Sequence, residues 1–286
     1  INGLNAALME AVRAELTRRG VDVPVVIGNR NWHPYFADTV QGLVDHGHQR
    51  VVALATSAYS SYSGCRQYCE DLERAAEPRG IRIDKVDPFG ETPGFVSANA
   101  RALVEAVRRL RQRIGDAALR VLFVTHSIPT AMNEASSTGE PERRYDAQHL
   151  RVAAAVAEEA STTLGEDLAW ELTFCSRSGA PHIPWLEPDV NDRMPEVQAE
   201  GVAGVVAAPI GFISDHMEVA YDLDTQAKET AEGLALPYER AATVGTDEGF
   251  VSLLVDQLLA QAAAARGEAT SVGRCRFSTG RCCLPR

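Results

Sequence analysis

The sequence predicts an α/β fold with two Rossmann-like lobes, whose parallel four-stranded sheets are flanked by helices. Short β-branched apolar runs alternate with longer segments in which apolar residues recur at helical spacing. This alternation occurs twice, on either side of the turn-rich stretch 87–94, which is the predicted junction between the lobes. Strands that alternate with helices form parallel sheets with right-handed crossovers. Such sheets bind ligands beyond the carboxyl ends of their strands, so we expect a site in the cleft between the lobes.

The chain divides into four predicted parts. They are an N-terminal lobe over residues 1–88, a C-terminal lobe over 89–245, a helix over 246–266 that packs back on the first lobe, and a cysteine-bearing tail over 267–286.

The first lobe opens with a predicted helix over 2–19, which places Leu4, Leu8, Val12 and Leu16 on one face and ends at Gly20. Its other predicted elements are strands over 23–28, 51–56 and 81–86, and helices over 36–47 and 65–77. In the second lobe the pattern predicts helices over 95–114, 141–164, 189–200 and 247–265, strands over 119–125, 169–174, 202–208 and 238–240, and a polar loop over 126–139.

An acidic segment over 215–224 follows the strand at 202–208 and a Pro/Gly turn. Ser214 or Asp215 suits the N-cap of a helix, which would place Glu218 and Asp222 on one face. Like charges four residues apart cost roughly 0.2–0.5 kcal/mol, so the carboxylates have either a functional role or the role of a solvated first turn that favours the helix dipole. The segment alone leaves both interpretations open.

Composition excludes several classes of function. The formal net charge of −11 argues against nucleic acid as a main partner. No apolar run approaches the ~18–20 residues of a membrane span, and no secretory signal is visible, so a cytoplasmic protein is expected. Glycine-rich nucleotide-binding motifs, a zinc-protease motif and a nucleophile elbow are all missing from the sequence.

Three loop motifs are specific when taken together. They are Val-Thr-His-Ser-Ile-Pro over 124–129, the Ser-Arg-Ser-Gly to Trp-Leu-Glu-Pro-Asp stretch over 176–189, and Asp-His-Met-Glu-Val-Ala-Tyr-Asp over 215–222. With Asn-Trp-His-Pro-Tyr over 31–35 and Tyr-Ser-Ser-Tyr-Ser over 59–63, they resemble ferrochelatase, which inserts ferrous iron into a porphyrin. The resemblance covers residues 1 to about 261 and is closest to the actinobacterial branch. The resemblance implies a chelatase-like fold, with Fe²⁺ and a porphyrin as substrates. The implied reaction converts coproporphyrin III to coproheme, and insertion of Fe²⁺ into protoporphyrin IX is the close variant.

The resemblance places the metal-site histidine at His126 and its partner carboxylate at Glu218. Imidazole suits Fe²⁺ as a ligand and serves as a base near neutral pH, while a glutamate can take a proton or hold the incoming cation. Asp222 would continue an acidic ladder, but Gln226 stands where the family has a further acid, and an amide cannot take a proton at physiological pH. His216 is expected to pack or to cap the helix start.

Substrate contacts are expected from several loop residues. Tyr59, Tyr62 and Trp185 could stack on the macrocycle, with core packing as the alternative. Arg30 and Arg177 could pair with porphyrin propionates, because guanidinium binds carboxylates bidentately. The alternative for both residues is a surface ion pair. Ser127, next to His126, completes the expected substrate-binding set.

The tail resembles the extension that ligates a 2Fe–2S cluster in some ferrochelatases. It supplies Cys275, Cys282 and Cys283, and a cluster needs four thiolates. Cys65 is the predicted fourth ligand, Cys175 is the alternative, and Cys69 is expected to be a buried thiol. The cluster would tie the tail to the body and have a structural role.

Family members begin with a strand and a loop that precede the point matched by Ile1, so these opening elements are expected to be missing from the numbered chain. The chain is expected to be a monomer, with transient contacts to neighbouring enzymes of heme synthesis. Two alternatives remain open at this stage: a metal- or tetrapyrrole-binding protein without turnover, and a cobalt or nickel chelatase.

Overall fold

The computed structural model describes residues 1–269 and 282–285. Within those residues no helix has the length and apolar composition needed to cross a membrane. The first lobe contains helices α1 (Asn2–Arg18), α2 (Phe36–Asp45) and α3 (Gln67–Ala76), and strands β1 (Arg50–Ala53) and β2 (Arg82–Lys85). The two strands pair in parallel, with Arg50 opposite Arg82.

The predicted strand over 23–28 is not a paired strand, so the first-lobe sheet has two strands among the described residues rather than four. The segment has no regular secondary structure, and two of its carbonyl groups accept hydrogen bonds from side chains. Arg13 donates to the Val25 carbonyl, and Thr39 Oγ1 donates to the Ile27 carbonyl at 2.8 Å. A β-branched run favours extended backbone, but a strand also needs a neighbour to pair with.

The second lobe contains the main sheet. Its elements are α4 (Pro93–Ile114), β3 (Leu119–His126), α5 (Thr130–Glu134), α6 (Tyr145–Leu164), β4 (Trp170–Cys175), α7 (Val190–Ala199), β5 (Gly204–Ala208), α8 (Lys228–Gly233), β6 (Tyr238–Arg240) and α9 (Glu248–Arg266). The sheet order is β4-β3-β5-β6, and every pair is parallel. The predicted α/β class with helix-flanked parallel sheets is therefore confirmed.

Strand β3 lies in the middle of the lobe and divides its core. Val121 and Phe123 pack towards α4 and α6, whereas Leu122 and Val124 pack towards α7 and the helix that follows β5. This alternation follows from the two-residue period of a strand, and burial on both faces explains the continuous apolar sequence. The carboxyl ends of β3, β4 and β5 consequently meet at one edge.

Helix α9 packs against α1, α4 and both strands of the first lobe. Arg19 at the end of α1 donates to Ser252 Oγ at 2.7 Å and to Asp256 Oδ1 at 2.5 Å. The ring centroid of Phe250 in α9 lies 5.7 Å from that of Phe89 and 5.8 Å from that of Phe95.

Two segments form π-helices: the first joins the end of a predicted loop to the first two residues of the helix predicted over 65–77, and the second was predicted as α-helix. One covers Tyr62–Arg66 and begins at Ser61, whose Oγ accepts the N–H of Gly64 at 2.9 Å. The other covers the nine residues Val219–Ala227 and contains most of the predicted acidic segment. Helical winding begins at Met217, directly before the π-helix, and the side chain that accepts an N–H at this start is that of His216 rather than Ser214 or Asp215. π-Helices are rare and usually one turn long, and they occur frequently at functional sites.

Candidate active site at the carboxyl edge of the sheet

His126 is the last residue of β3 and lies opposite Cys175 of β4. Its side chain is 34% exposed. Nδ1 lies 2.5 Å from the Ser127 carbonyl oxygen, and because a carbonyl only accepts, Nδ1 must hold a proton. In the neutral ring the lone pair is therefore on Nε2, the nitrogen that faces Glu218. The sequence predicted His126 in a loop, but the strand continues through it, which fixes its backbone.

Glu218 lies between two imidazoles. Its Oε1 is 4.0 Å from His126 Nε2, and its Oε2 is 3.9 Å from His216 Nε2. His216 Nδ1 accepts the backbone N–H of Glu218 at 3.2 Å, in keeping with the expected capping role. Burial lowers the pKa of His216, and the charge of Glu218 opposes that effect. His216 therefore holds the helix start, and the half-exposed carboxylate of Glu218 faces His126.

Asp222 is buried, with 9% of its surface exposed. The hydroxyl of Ser176 donates to its Oδ2 and also lies 3.4 Å from Cys175 Sγ. Ser176 follows β4 and has a φ of 61°, which is uncommon for a residue with a side chain. The carboxylate thus lies between the end of β4 and the second π-helix. A solvated helix face does not fit this burial, whereas Gln226, further along the same helix, is exposed.

A buried polar network lies behind His126, and the sequence did not reveal it. Tyr145 hydroxyl lies 3.0 Å from the His126 carbonyl and 2.8 Å from Thr125 Oγ1. Thr125 Oγ1 is in turn 2.9 Å from His149 Nε2, and His149 Nδ1 donates to the Tyr145 carbonyl at 2.7 Å. Burial lowers the pKa of His149 to about 3, so the ring is neutral. The only available signal was the spacing of Tyr145 and His149 on one face of a predicted helix.

Three predicted substrate-binding residues are occupied elsewhere. Tyr59 is 3% exposed, stacks on His149 at 3.6 Å between ring centroids and donates to the Ile210 carbonyl, so it packs in the core. Ser127 is buried, and its hydroxyl donates to the Leu186 carbonyl at 2.8 Å. Arg30 pairs with Asp71 at 2.9 Å and lies over the ring of Tyr68 at 3.8 Å. For these residues the structure favours packing and ion pairing over substrate contact.

Arg177 and Trp185 keep groups that a ligand could use. Arg177 is exposed and donates to the carbonyls of Pro181 and Ile183, and it has no carboxylate partner in residues 1–269 and 282–285. Trp185 is half-buried, and its Nε1 is buried without a hydrogen-bond partner in the described part of the chain. Tyr62 instead donates to Glu70 at 3.2 Å.

The end of the described tail contacts the body at Arg66 and Ser137. Arg66 Nη1 donates to the Cys282 carbonyl at 3.1 Å. The buried Cys283 donates its N–H to the Ser137 carbonyl, and its Sγ accepts the Ser137 N–H at 3.1 Å. Cys282 Sγ and Cys283 Sγ are 3.7 Å apart. Cys69 is half-buried, and Cys275 lies outside the described residues. Within those residues no group of three or more His, Cys, Asp or Glu is arranged to hold a metal.

Cys175, the alternative ligand, is in a different environment. Its thiol contacts Ser176 at the edge of the carboxylate site, and burial raises its pKa. Cys65 is also buried, and its Sγ lies 3.8 Å from Lys85 Nζ. The next residue in the sequence is Arg66, which donates to the Cys282 carbonyl.

Comparison with known proteins decides the family. The sequence profile of the ferrochelatase family matches residues 1–262. The chain belongs to the ferrochelatase family. Among family members, the coproporphyrin III ferrochelatase of Streptomyces coelicolor is 46% identical over 277 residues, which are 94% of this chain and 74% of that relative. The coproporphyrin III ferrochelatase of Streptomyces griseus is 45% identical over 98% of this chain and 76% of its own length.

The fold of this family member also matches a solved chelatase structure. SirB from Bacillus subtilis with Fe³⁺ superposes with a TM-score of 0.56 at 15% identity, covering 92% of this chain and 90% of SirB. At that identity the match shows similarity of fold alone.

Proposed function

We propose that this ferrochelatase-family enzyme inserts Fe²⁺ into coproporphyrin III to give coproheme, as a cytoplasmic monomer. The observation that carries the proposal is the pairing of His126 Nε2 with the Glu218 carboxylate, 4.0 Å apart at the carboxyl edge of the main sheet. The coproporphyrin III ferrochelatases that share up to 46% identity with the chain support this choice of porphyrin.

The reaction requires two pyrrole N–H protons to leave as the metal enters. Fe²⁺ is substrate, and it replaces both protons while it loses its own water ligands, so two protons are released for each metal inserted. Neutral His126, with its Nδ1 proton held by the Ser127 carbonyl, offers the Nε2 lone pair to a pyrrole proton. Glu218, half exposed beside it, can hold the cation or take the second proton.

Asp222 is the proposed next acceptor on the way to solvent. It lies on the same helix as Glu218, and the hydroxyl of Ser176 fixes one of its oxygens. Protons would pass from Glu218 to Asp222 and then to water, because Gln226 at the exposed end cannot be protonated near neutral pH.

Arg177 is the proposed partner of a porphyrin propionate. Its guanidinium is exposed on the loop that follows β4 and has no carboxylate partner among the described residues. Guanidinium groups bind carboxylates through two parallel hydrogen bonds. Trp185, on the same loop, offers a ring face and an unpartnered Nε1.

The porphyrin is tested by anaerobic metalation of coproporphyrin III and of protoporphyrin IX, each followed by its Soret band. We expect a higher kcat/KM for coproporphyrin III, because it carries four propionates and protoporphyrin IX carries two. A preference for protoporphyrin IX would contradict the assigned substrate. Stoichiometric binding of metal or porphyrin without turnover would instead favour a binding protein of the same fold.

For the tail, we propose that Cys65, Cys275, Cys282 and Cys283 hold a 2Fe–2S cluster with a structural role. Two observations support the fit. Cys282 is held by Arg66, the neighbour of the buried Cys65, and Cys283 Sγ accepts a backbone N–H from Ser137. A nearby cation and an N–H donor both favour thiolates. The cluster would supply no chemistry to metal insertion and would fasten the tail to both lobes.

Visible absorption and the iron and acid-labile sulfide content of purified protein test the cluster. We expect 2Fe–2S bands that are lost in Cys282→Ser and Cys65→Ser and kept in Cys175→Ser. Loss in Cys175→Ser with retention in Cys65→Ser would reverse the choice of fourth ligand. Wild-type protein free of iron and sulfide after anaerobic purification would contradict the cluster.

A further inference from the structure

The helix that carries the proposed proton ladder has an unusual geometry. Val219–Ala227 forms nine residues of π-helix directly after Glu218. Such helices are rare and usually limited to one turn. Within the helix, Thr225 Oγ1 donates to the Ala220 carbonyl at 3.2 Å. A relaxation to α-helical winding would rotate Asp222 relative to Glu218, so the geometry of the ladder depends on contacts that hold the π-helix.

Arg240, at the end of β6, bridges residues before and within that helix. Its Nε and Nη2 donate to Asp224 Oδ1 and Oδ2 at 2.8 and 3.1 Å. Its Nη1 donates to Asp215 Oδ1 at 2.9 Å. Asp215 precedes Glu218 and Asp224 follows it, so one guanidinium fixes the chain on both sides of the catalytic carboxylate.

The environment of Arg240 makes this contact more than a surface ion pair. Its side chain is 17% exposed, whereas those of Asp215 and Asp224 are 40% and 43% exposed. Burial lowers the pKa of Arg240, but the two carboxylates outweigh that effect and the pKa is raised. The planar fork binds Asp224 through both of its oxygens, a geometry that lysine cannot reproduce.

The same strand supplies a second contact to the helix. Tyr238, two residues before Arg240 and therefore on the same side of β6, donates its hydroxyl to the Leu223 carbonyl at 3.0 Å. Leu223 and Asp224 are consecutive residues of the π-helix. Strand β6 therefore contacts the helix at the backbone of Leu223 and at the side chain of Asp224.

We propose that Arg240 is a positioning residue for metal insertion, because its clamp on Asp215 and Asp224 sets the winding of the π-helix and the reach of Glu218 towards His126. This inference rests on the proposed function of Glu218. Arg240 touches neither metal nor porphyrin in this role, so its removal affects the catalytic step and leaves porphyrin binding intact.

Arg240→Gln tests the clamp, with Arg109→Gln as the matched control. Arg109 pairs with Glu239 of the same strand at 3.0 Å and donates to the Arg240 carbonyl, and in the described part of the chain it forms no hydrogen bond or ion pair with the π-helix. We expect kcat for Fe²⁺ insertion to fall roughly 10–100-fold in Arg240→Gln, with KM for porphyrin within about twofold of the wild-type value. Arg109→Gln should keep the wild-type kcat.

Two further variants keep the test decisive if Arg240→Gln folds poorly. Asp224→Asn breaks the bidentate contact from the exposed side of the helix, and it should lower kcat with KM unchanged. Arg240→Lys keeps the charge without the fork and should give an intermediate kcat. Wild-type kcat in Asp224→Asn and Arg240→Gln, or an equal loss in Arg109→Gln, would overturn the clamp.

Glu218→Gln separates this inference from the proposed function. An inactive Glu218→Gln together with fully active Arg240→Gln would overturn the clamp alone. A fully active Glu218→Gln would overturn both the catalytic role of Glu218 and the clamp that depends on it.

Discussion

His126, Glu218 and Asp222 differ in how firmly their side chains are held and in how exposed they are. The imidazole is fixed by its Nδ1 contact to the Ser127 carbonyl and by its place at the end of a buried strand. The carboxylate of Glu218 is half exposed, and the backbone N–H of the same residue is bound by His216. Asp222 is buried and accepts a hydrogen bond from the hydroxyl of Ser176. We therefore expect unequal effects when the three side chains are changed.

Substitution of Glu218 should lower kcat more than substitution of Asp222. Glu218→Gln should lower kcat about 100-fold or more, the range expected for loss of a general acid–base group, because no other carboxylate faces His126 in the described residues. Asp222→Asn should lower kcat about tenfold, since it is one step further from the metal. Glu229→Gln, an exposed change further along the helix, is the control. A larger loss in Asp222→Asn than in Glu218→Gln would reverse the proposed order.

His149 should make the fold sensitive to acid. Its pKa is lowered to about 3 by burial, whereas in the unfolded chain it is about 6.5. The unfolded state therefore binds more protons below pH 6.5, and the stability linked to His149 is complete above that pH and is lost as pH falls towards 3. His149→Gln should show a smaller drop in the free energy of unfolding between pH 7 and pH 5 than the wild type.

Urea denaturation at several pH values measures this effect. His46→Gln serves as the control because His46 is exposed at the end of α2. Equal pH dependence in wild type and His149→Gln would show that His149 is not the linked group.

Residue types in motifs were predictable, but their orientations were not. The Val-Thr-His-Ser motif placed His126 at a strand end, and the structure brings it to Glu218. The same reasoning placed Tyr59 and Ser127 at the substrate, whereas both side chains point into the core and bond to backbone carbonyls. Both residues lie beyond the ends of their strands, where tertiary contacts set the side-chain direction, so proximity in sequence does not imply a shared site.

At the scale of elements, the π-helix was beyond sequence reasoning. Val219, Leu223 and Ala227 are four apart and buried, a spacing that suits an α-helix equally well. Residues outside the helix contact it, among them Arg240, Tyr238 and Ser176, and the proposed clamp assigns its winding to such contacts. Such contacts come from the tertiary fold, which a local pattern does not contain.

The turn after β5 must approach β3 closely, and Gly211 permits it. A Cβ at Gly211 would lie 2.1 Å from Thr125 Oγ1 and 2.7 Å from Thr125 Cα. Because the backbone would have to shift, Gly211→Ala should destabilise the fold by about 1–3 kcal/mol and disturb the network behind His126. Gly233→Ala, where an added Cβ meets nothing within 4 Å, is the matched control. Urea unfolding free energies equal in the two variants would contradict this packing argument.

The segment over 23–28 shows that strand propensity alone does not predict a paired strand. Its Val-rich sequence predicted a strand, but no strand forms there, and Arg13 and Thr39 donate to two of its carbonyls. Strand formation depends on a partner, and the identity of a partner cannot be read from the segment itself.

At the scale of the whole molecule, the alternation of strands and helices was the strongest signal. It predicted parallel strands, and parallel strands bring their carboxyl ends to one edge. His126, Cys175 and the turn at Pro209 meet there for that reason. The architecture therefore followed from periodicity, whereas the chemistry of the edge needed the motif residues and the distances between them in the structure.

The central claim is that His126 at this edge performs metal insertion. The most direct measurement is the anaerobic rate of Fe²⁺ insertion into coproporphyrin III, followed at the Soret band, for wild type, His126→Ala and the exposed control His46→Ala. We predict turnover by wild type and His46→Ala, and a loss of at least about 100-fold in His126→Ala with an unchanged unfolding transition. A fully active His126→Ala, or wild-type metalation no faster than the protein-free reaction, would contradict the account.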